Sequence, residues 1–334
     1  MKLIEHIENV VNFNIKDNYL IFKDGNIVNF KQKPLGYYPE SRLVFIINNN
    51  FIVLNSLNQI ISNSAIKNTL KDYRVLLYTS PYLLFYNKKP RYCGVYSTNS
   101  NNIIINNERV LGRFIFGDFI IAGDGSDLEI IIRHIPSNKV VCKFELSELG
   151  TYISGIEEKP IQVREFSGLF KNTLVCGLNS GGILLLDIQK GEVLRHFKGV
   201  NIVRNIKPKE KDSSIYWGLN HFYFVEIDVE SNKILRHTDL SEHLKEVFGK
   251  YRSINGIVVS SGLIYFKADF NMIGVFDPQI EKVIDFHLVK FTTRKGTILP
   301  SKKENFQVHD NKIYALDTSG TLHILEHQKN TLET

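Results

Sequence analysis

Five arginines stand at near-constant distances ahead of a recurring residue. Arg164 precedes Asp187 by 23 positions, Arg204 precedes Asp228 by 24, Arg252 precedes Asp277 by 25 and Arg294 precedes Asp317 by 23. Arg109 stands 24 positions before Arg133, which occupies the place of the aspartate in the preceding repeat. A guanidinium stays protonated at any physiological pH and grips a carboxylate or phosphate through two parallel hydrogen bonds. Repeated positions in a closed ring share one radius and height, so the set predicts an arc of positive charge at one mouth of a channel, receiving an acidic group of a partner or ligand. The competing reading makes each arginine a staple to a carboxylate of its own or the next repeat. The carboxylates beside each arginine decide between the two.

Other residue types offer less. His243 and Glu246 share a face of a predicted helix, but a second ligand pair is absent, so a solvated face is the better reading and no metal is expected. His196, His237 and His287 recur after the turns and read as outer-strand surface residues. Gly123 to Asp127, GDGSD, lacks a full set of oxygen ligands and reads as a turn between strands. The chain contains no GxSxG elbow, P-loop or HExxH motif, so no catalytic residue and no cofactor are predicted.

The elements that must position the arginines are hairpins. In Ile183 to Phe197, ILLLDIQKGEVLRHF, two apolar runs flank a turn opened by Asp187 and closed by Gly191. The carboxylate accepts N–H groups of the turn it opens, and glycine takes a positive φ without penalty. The pattern returns in FYFVEIDVESNKILRH with Asp228, in IGVFDPQIEKVIDFH with Asp277, in IYALDTSGTLHIL with Asp317 and in LEIIIRHIPSNKVVCKF with Arg133. The steps between the four aspartates are 41, 49 and 40 residues, the length of one four-stranded propeller blade. The shared spacing predicts that all four aspartates occupy equivalent strand ends in four successive blades. Earlier hairpins open at Asp24-Gly25, within LVFIINNNFIVL (43–54) and around Pro81 in RVLLYTSPYLLFY (74–86), closer together than the later ones. Eight paired runs can be counted, one of them set aside as ring closure between the two ends of the chain. The expectation is an all-β fold: a single β-propeller of seven four-stranded blades over 1–327, with eight or six as alternatives. The 328–334 tail is polar. Asp239 to Lys250, DLSEHLKEVFGK, is the one predicted helix, with Asp239 as N-cap and Gly249 as its end.

At LLLDIQKGEVLRHF and IYALDTSGTLHIL the repeats resemble those of the quinoprotein-type propeller family, with WD-repeat propellers as a more distant likeness. The resemblance covers 110–327 well and the first hundred residues by analogy of pairing. It implies a closed ring of blades around a channel with function in the loops. It does not carry over the quinone chemistry, because those enzymes are typically exported and often have adjacent cysteines, which this chain lacks. Arg195, Arg236 and Asp285 also stand where the family's repeat-ending tryptophan would fall.

Charge and composition narrow the function further. The 41 Lys and Arg outnumber 35 Asp and Glu, for a net charge of +6 and a pI near 8.9. An anionic partner fits this balance, while the absence of a basic run interleaved with aromatics argues against nucleic acid. No apolar run approaches the roughly 20 residues of a membrane span, and MKLIEHIENVVNF carries Glu5 and Glu8 where a signal peptide would be apolar. Cys93, Cys142 and Cys176 are few, odd in number and set in strand-like runs, which predicts buried free thiols in a cytoplasmic protein. These observations lead to a non-catalytic protein-binding propeller, of inhibitor or immunity type, capturing a toxin or enzyme through an acidic contact surface. The rival expectation is a propeller-type hydrolase or lyase acting on an anionic sugar or phosphate at the channel mouth. Such an enzyme would need carboxylates or histidines converging beside the arginines.

Overall fold

The middle strands of each repeat read as unbroken apolar runs because neighbouring sheets cover both of their faces. Thr173–Leu178 and Ile183–Asp187 are buried almost throughout. The outer strand Lys233–Asp239 alternates exposed and half-buried residues. A computed structural model describes residues 1–15, 18–38, 41–47, 50–55, 59–62, 65–69, 73–79, 81–87, 92–108, 111–123, 128–249, 252–269, 271–289 and 306–327. Side chains are described in these ranges except at 41–55, 62, 65–79, 86–93, 106–113 and 122–123.

Among the described residues, eight four-stranded antiparallel sheets form the blades of a ring. Seven consist of consecutive strands, beginning with the inner strands Val10–Asn14, Ser41–Ile47, Tyr73–Thr79, Leu111–Phe116, Val163–Phe170, Ile206–Lys209 and Ile254–Ser260. The eighth takes Phe306–His309, Lys312–Leu316 and Leu322–Glu326 from the C-terminal part of the chain and its outer strand, Lys2–Ile7, from the N-terminal part. The expected closure therefore forms. The set of strands assigned to it is a complete sheet in its own right, which makes the number of blades eight, the alternative kept beside seven. The first three blades, whose hairpins sit close together in sequence, are full four-stranded sheets with short connections.

First strands of neighbouring blades touch one another between blades one and two and from three through to eight, as they can only on the inner circumference of a ring. Between blades eight and one, Gln307 donates from Nε2 to the Phe13 carbonyl and accepts the Ile15 N–H, at 3.1 and 3.0 Å. The core is divided among the interfaces between blades: Ile130, Phe144, Phe166 and Leu184 pack together between blades four and five, and Trp217, Phe224, Phe266 and Phe276 between six and seven.

Helix α1, Ser241–Phe248, links blades six and seven. Its N-cap is Leu240, one residue after the expected Asp239; Asp239 ends the preceding strand, and its carboxylate accepts the Ser241 N–H at 2.8 Å. Gly249 ends the helix at φ 68°. Cys142 and Cys176 are buried free thiols whose pKa values burial raises. The Cys93 side chain lies outside the described residues. Among the described residues, no helix is long and apolar enough to cross a membrane.

Candidate functional site

Three of the four turn aspartates behave as their spacing predicts. Asp187, Asp228 and Asp277 each end the third strand of a blade, and each accepts the N–H two residues on, from Gln189, Glu230 and Gln279, at 2.8, 2.9 and 2.8 Å. The turns close at Gly191, Asn232 and Glu281, all at positive φ.

Asp317 departs from this register. It follows the second strand of blade eight, not the third, and accepts the N–H groups of Ser319 and Thr321, both at 2.9 Å. The reason is the closure itself: the fourth strand of that blade comes from the N-terminal part of the chain, so no hairpin joins its third strand to its fourth. Asp317 is equivalent instead to Asn179, Asn220 and Asp269, which follow the second strands of blades five, six and seven. Their steps of 41, 49 and 48 residues form a second repeat that the pattern of turn aspartates conceals.

Arg133 is displaced by one. The Ile135 N–H bonds to Asp118 O as that of Ile188 does to Asn172 O and that of Val229 to Ser214 O, so His134 holds the aspartate position. Arg133 donates to Asn138 O at 2.8 Å and so closes the same turn from its neighbouring position.

Arg109 and Arg294 lie outside the described residues. Arg164, Arg204 and Arg252 stand at or just before the starts of the inner strands of blades five, six and seven, hence at one end of the ring. They do not share one position. The Asn179 N–H bonds to Gln162 O and the equivalent Asp269 N–H to Ser253 O. Arg164 is two residues after the first of these acceptors and Arg252 one residue before the second. The drift from 23 to 25 in the sequence count was the trace of this offset.

Their environments differ as well. Arg252 is largely buried and ion-paired to Asp269 at 2.9 Å, with its Nε without a partner. Asp269 also accepts the Ser253 N–H at 3.0 Å. Arg164 and Arg204 are exposed, and neither has a hydrogen-bonding or ion-pairing partner among the described residues. One arginine is therefore a staple and two are open charges.

The tie between blades at this end is made by residues that the sequence pattern did not single out. Glu165, beside Arg164, points across to blade six and accepts from Lys207 Nζ and the backbone N–H groups of Asn205 and Ile206. Farther out, Arg236 bonds Glu226 of its own blade at 2.6 Å and reaches Glu281 of the next at 3.4 Å. Burial works against ionisation of Glu226, but Arg236 and the Trp217 indole N–H, at 2.9 Å, outweigh it and hold the carboxyl below its ordinary range.

The histidines do not converge on the mouth. His237 Nε2 lies 3.0 Å from Val200 O. His196 and His237 pair at equivalent points of their strands, whereas His287 is one position further along, and burial lowers the pKa of His196 and His287. His243 Nε2 accepts the Val283 N–H at 3.0 Å, a contact from the helix to the edge of blade seven. Residues 124–127 of the GDGSD turn lie outside the described residues. Among the described residues, no group of three or more His, Cys, Asp or Glu is placed to hold a metal.

No family model matches the chain, and no curated protein matches it. Solved structures do resemble it. The computationally designed Ika8 protein is 13% identical, with a TM-score of 0.62 over 98% of both chains. BamB from Moraxella catarrhalis is 12% identical, with a TM-score of 0.62 over 97% of this chain and 99% of its own. Sqt1 from Saccharomyces cerevisiae is 10% identical, with a TM-score of 0.62 over 98% of this chain and 99% of its own. At 10–13% identity the likeness is one of fold, and on that ground together with its own strand topology the chain is a β-propeller.

Proposed function

We propose that this chain is a non-catalytic, cytoplasmic protein-binding propeller that receives an acidic group of its partner at the mouth lined by Arg164 and Arg204. The observation that carries the reading is the contrast between these two exposed guanidinium groups, unpaired among the described residues, and Arg252, neutralised by Asp269. Like charges left open on one rim raise the local positive potential and favour an anionic surface. The resemblance of the repeats to quinoprotein-type propellers enters this reading as shape alone. An enzyme would need an uncommitted acid or base beside the arginines, and the nearby carboxylates of Glu165 and Asp269 are both engaged.

Within this class the reading is an inhibitor or immunity-type protein that captures a toxin or enzyme one to one. Its support is the asymmetry of the ring. The longer described connections, Leu146–Leu149 with the hairpin 151–160, the 198–205 loop and α1, all run from an outer strand to the next inner strand and so lie on one face. In blades four to seven the opposite face carries only tight turns. The net charge argues against a basic nuclease as the captured protein. The test is purification of the tagged chain from its source cells, followed by titration of the co-purifying protein at low and high salt. A one-to-one complex weakened by salt and by Arg164→Ala with Arg204→Ala supports the reading. Affinity unchanged in the double variant overturns it.

A further inference from the structure

Between blades four and five the chain rises into a two-stranded hairpin, Thr151–Ser154 paired with Glu157–Pro160, that joins no blade. Ser154 and Glu157 close a two-residue turn of Gly155 and Ile156, with Gly155 at φ 67°, as a type II′ turn requires at its first position. Ile156 is wholly exposed and Ile153 71% exposed, more than any other large apolar residue among those described. A β-branched side chain at the second position of such a turn packs against nothing and does nothing for the fold. The base of the hairpin is fixed: Leu149 and Tyr152 pack on the core shared by blades four and five, where Ile161 and Val163 are buried.

We infer that this hairpin is the apolar anchor of the interface, seating Ile156 and Ile153 in an apolar pocket of the partner protein, with a basic group of that partner beside the pocket. The inference rests on the proposed protein-binding function and names the part of the face that supplies specificity. Glu157, ion-paired with Lys159 at 3.0 Å, and Glu158, which accepts from the Thr151 hydroxyl, follow the tip, so the apolar anchor has one net negative charge beside it. The Glu158 carboxylate and the arginine mouth put charges of opposite sign on one face, and a partner must match both. They lie within one footprint: Pro160 and Arg164 are four residues apart, at most about 14 Å along the chain. The hairpin itself stands about 13 Å tall. An interface of standard size covers both. A rigid, pre-positioned anchor also loses little conformational entropy on binding.

The test measures affinity for the protein that co-purifies with the wild-type chain, using Ile156→Asp, Ile153→Asp and, as control, Ile280→Asp. Ile280 is 57% exposed in a turn between third and fourth strands, on the opposite face. All three sites are exposed, so the variants fold. The expected result is at least tenfold weaker binding for Ile156→Asp, a smaller loss for Ile153→Asp, and a change within twofold for Ile280→Asp. Binding within twofold of wild type in Ile156→Asp, with Arg164→Ala and Arg204→Ala still weakening it, overturns the anchor and leaves the proposed function standing. Absence of any protein bound specifically by the wild-type chain overturns both. Sedimentation of the purified chain gives the remaining arm: a dimer abolished by Ile156→Asp assigns the hairpin to a second copy and overturns the assignment to a partner.

Discussion

Lys207, on the inner strand of blade six, donates its ammonium to the carboxylate of Glu165 on the inner strand of blade five. Both side chains are largely buried, and Glu165 also collects the N–H groups of Asn205 and Ile206, so one carboxylate ties two blades at the rim of the channel. Truncating Glu165 removes the counter-charge of the largely buried Lys207 ammonium, which keeps a bond to the Ile206 carbonyl at 3.0 Å. Glu165→Ala is expected to cost about 3–5 kcal/mol in urea unfolding, within the range for breaking a buried pair. A cost below about 1 kcal/mol, the range of exposed pairs, would show that the tie is solvated.

The arginines separate by role. Arg252→Ala removes a charged hydrogen bond to Asp269 and is expected to lower stability by about 1.5–3 kcal/mol. Arg164→Ala and Arg204→Ala, at exposed sites, are expected to stay within about 0.5 kcal/mol of wild type in stability. Each should nevertheless weaken partner binding by about 1–3 kcal/mol, with a loss that shrinks as salt is added. Thermal melts and titration calorimetry on the three variants check both halves.

Close approach of neighbouring blades depends on Gly177, in the second strand of blade five. A Cβ there would lie 2.5 Å from the Val203 carbonyl oxygen, in the loop leading to blade six. Backbone cannot rotate aside as a side chain can, so Gly177→Ala is expected to destabilise by about 1–3 kcal/mol, the usual cost of overpacking. The same substitution at Gly256 meets only the Lys267 side chain, at 3.4 Å, and serves as the control in a chemical-denaturation series.

Acid should act through Asp317. Burial opposes its ionisation, but hydrogen bonds from His323, Ser319 and Thr321 outweigh burial and hold the carboxyl below its ordinary range. A carboxyl with a depressed folded-state pKa adds stability above its unfolded value, about 3.9, and that stability is lost as pH falls through the folded value. Asp317→Asn is therefore expected to be destabilising at pH 7, with the gap to wild type closing below about pH 4. Unfolding free energies at pH 7, 5 and 3 would show it; a gap independent of pH would place the effect in turn geometry alone.

Much of the ring was legible in the sequence because it depends on local chemistry. Ile183–Asp187 followed by Gly191 forms a hairpin wherever both faces of its first strand are covered, and the recurrence of that pattern at Asp228 and Asp277 set the repeat length. Asp24-Gly25, the Asn turn after Ile47 and Pro81 marked the early hairpins for the same reason. What the sequence left open depends on which strand meets which. Asp317 lies 40 residues beyond Asp277, as a blade would have it, yet sits on a different strand, because the closing sheet borrows its outer strand from the other end of the chain. Full closure also turned the set-aside pair of runs into an eighth blade. The arginines could be counted along the chain but not paired: Asp269, which neutralises Arg252, lies 17 residues away, and Glu165 stands beside Arg164 while serving Lys207 on the next blade. Charge along a chain is a local property. Whether a charge is open or spent is set by the packing of blades against each other, and that only the tertiary structure decides.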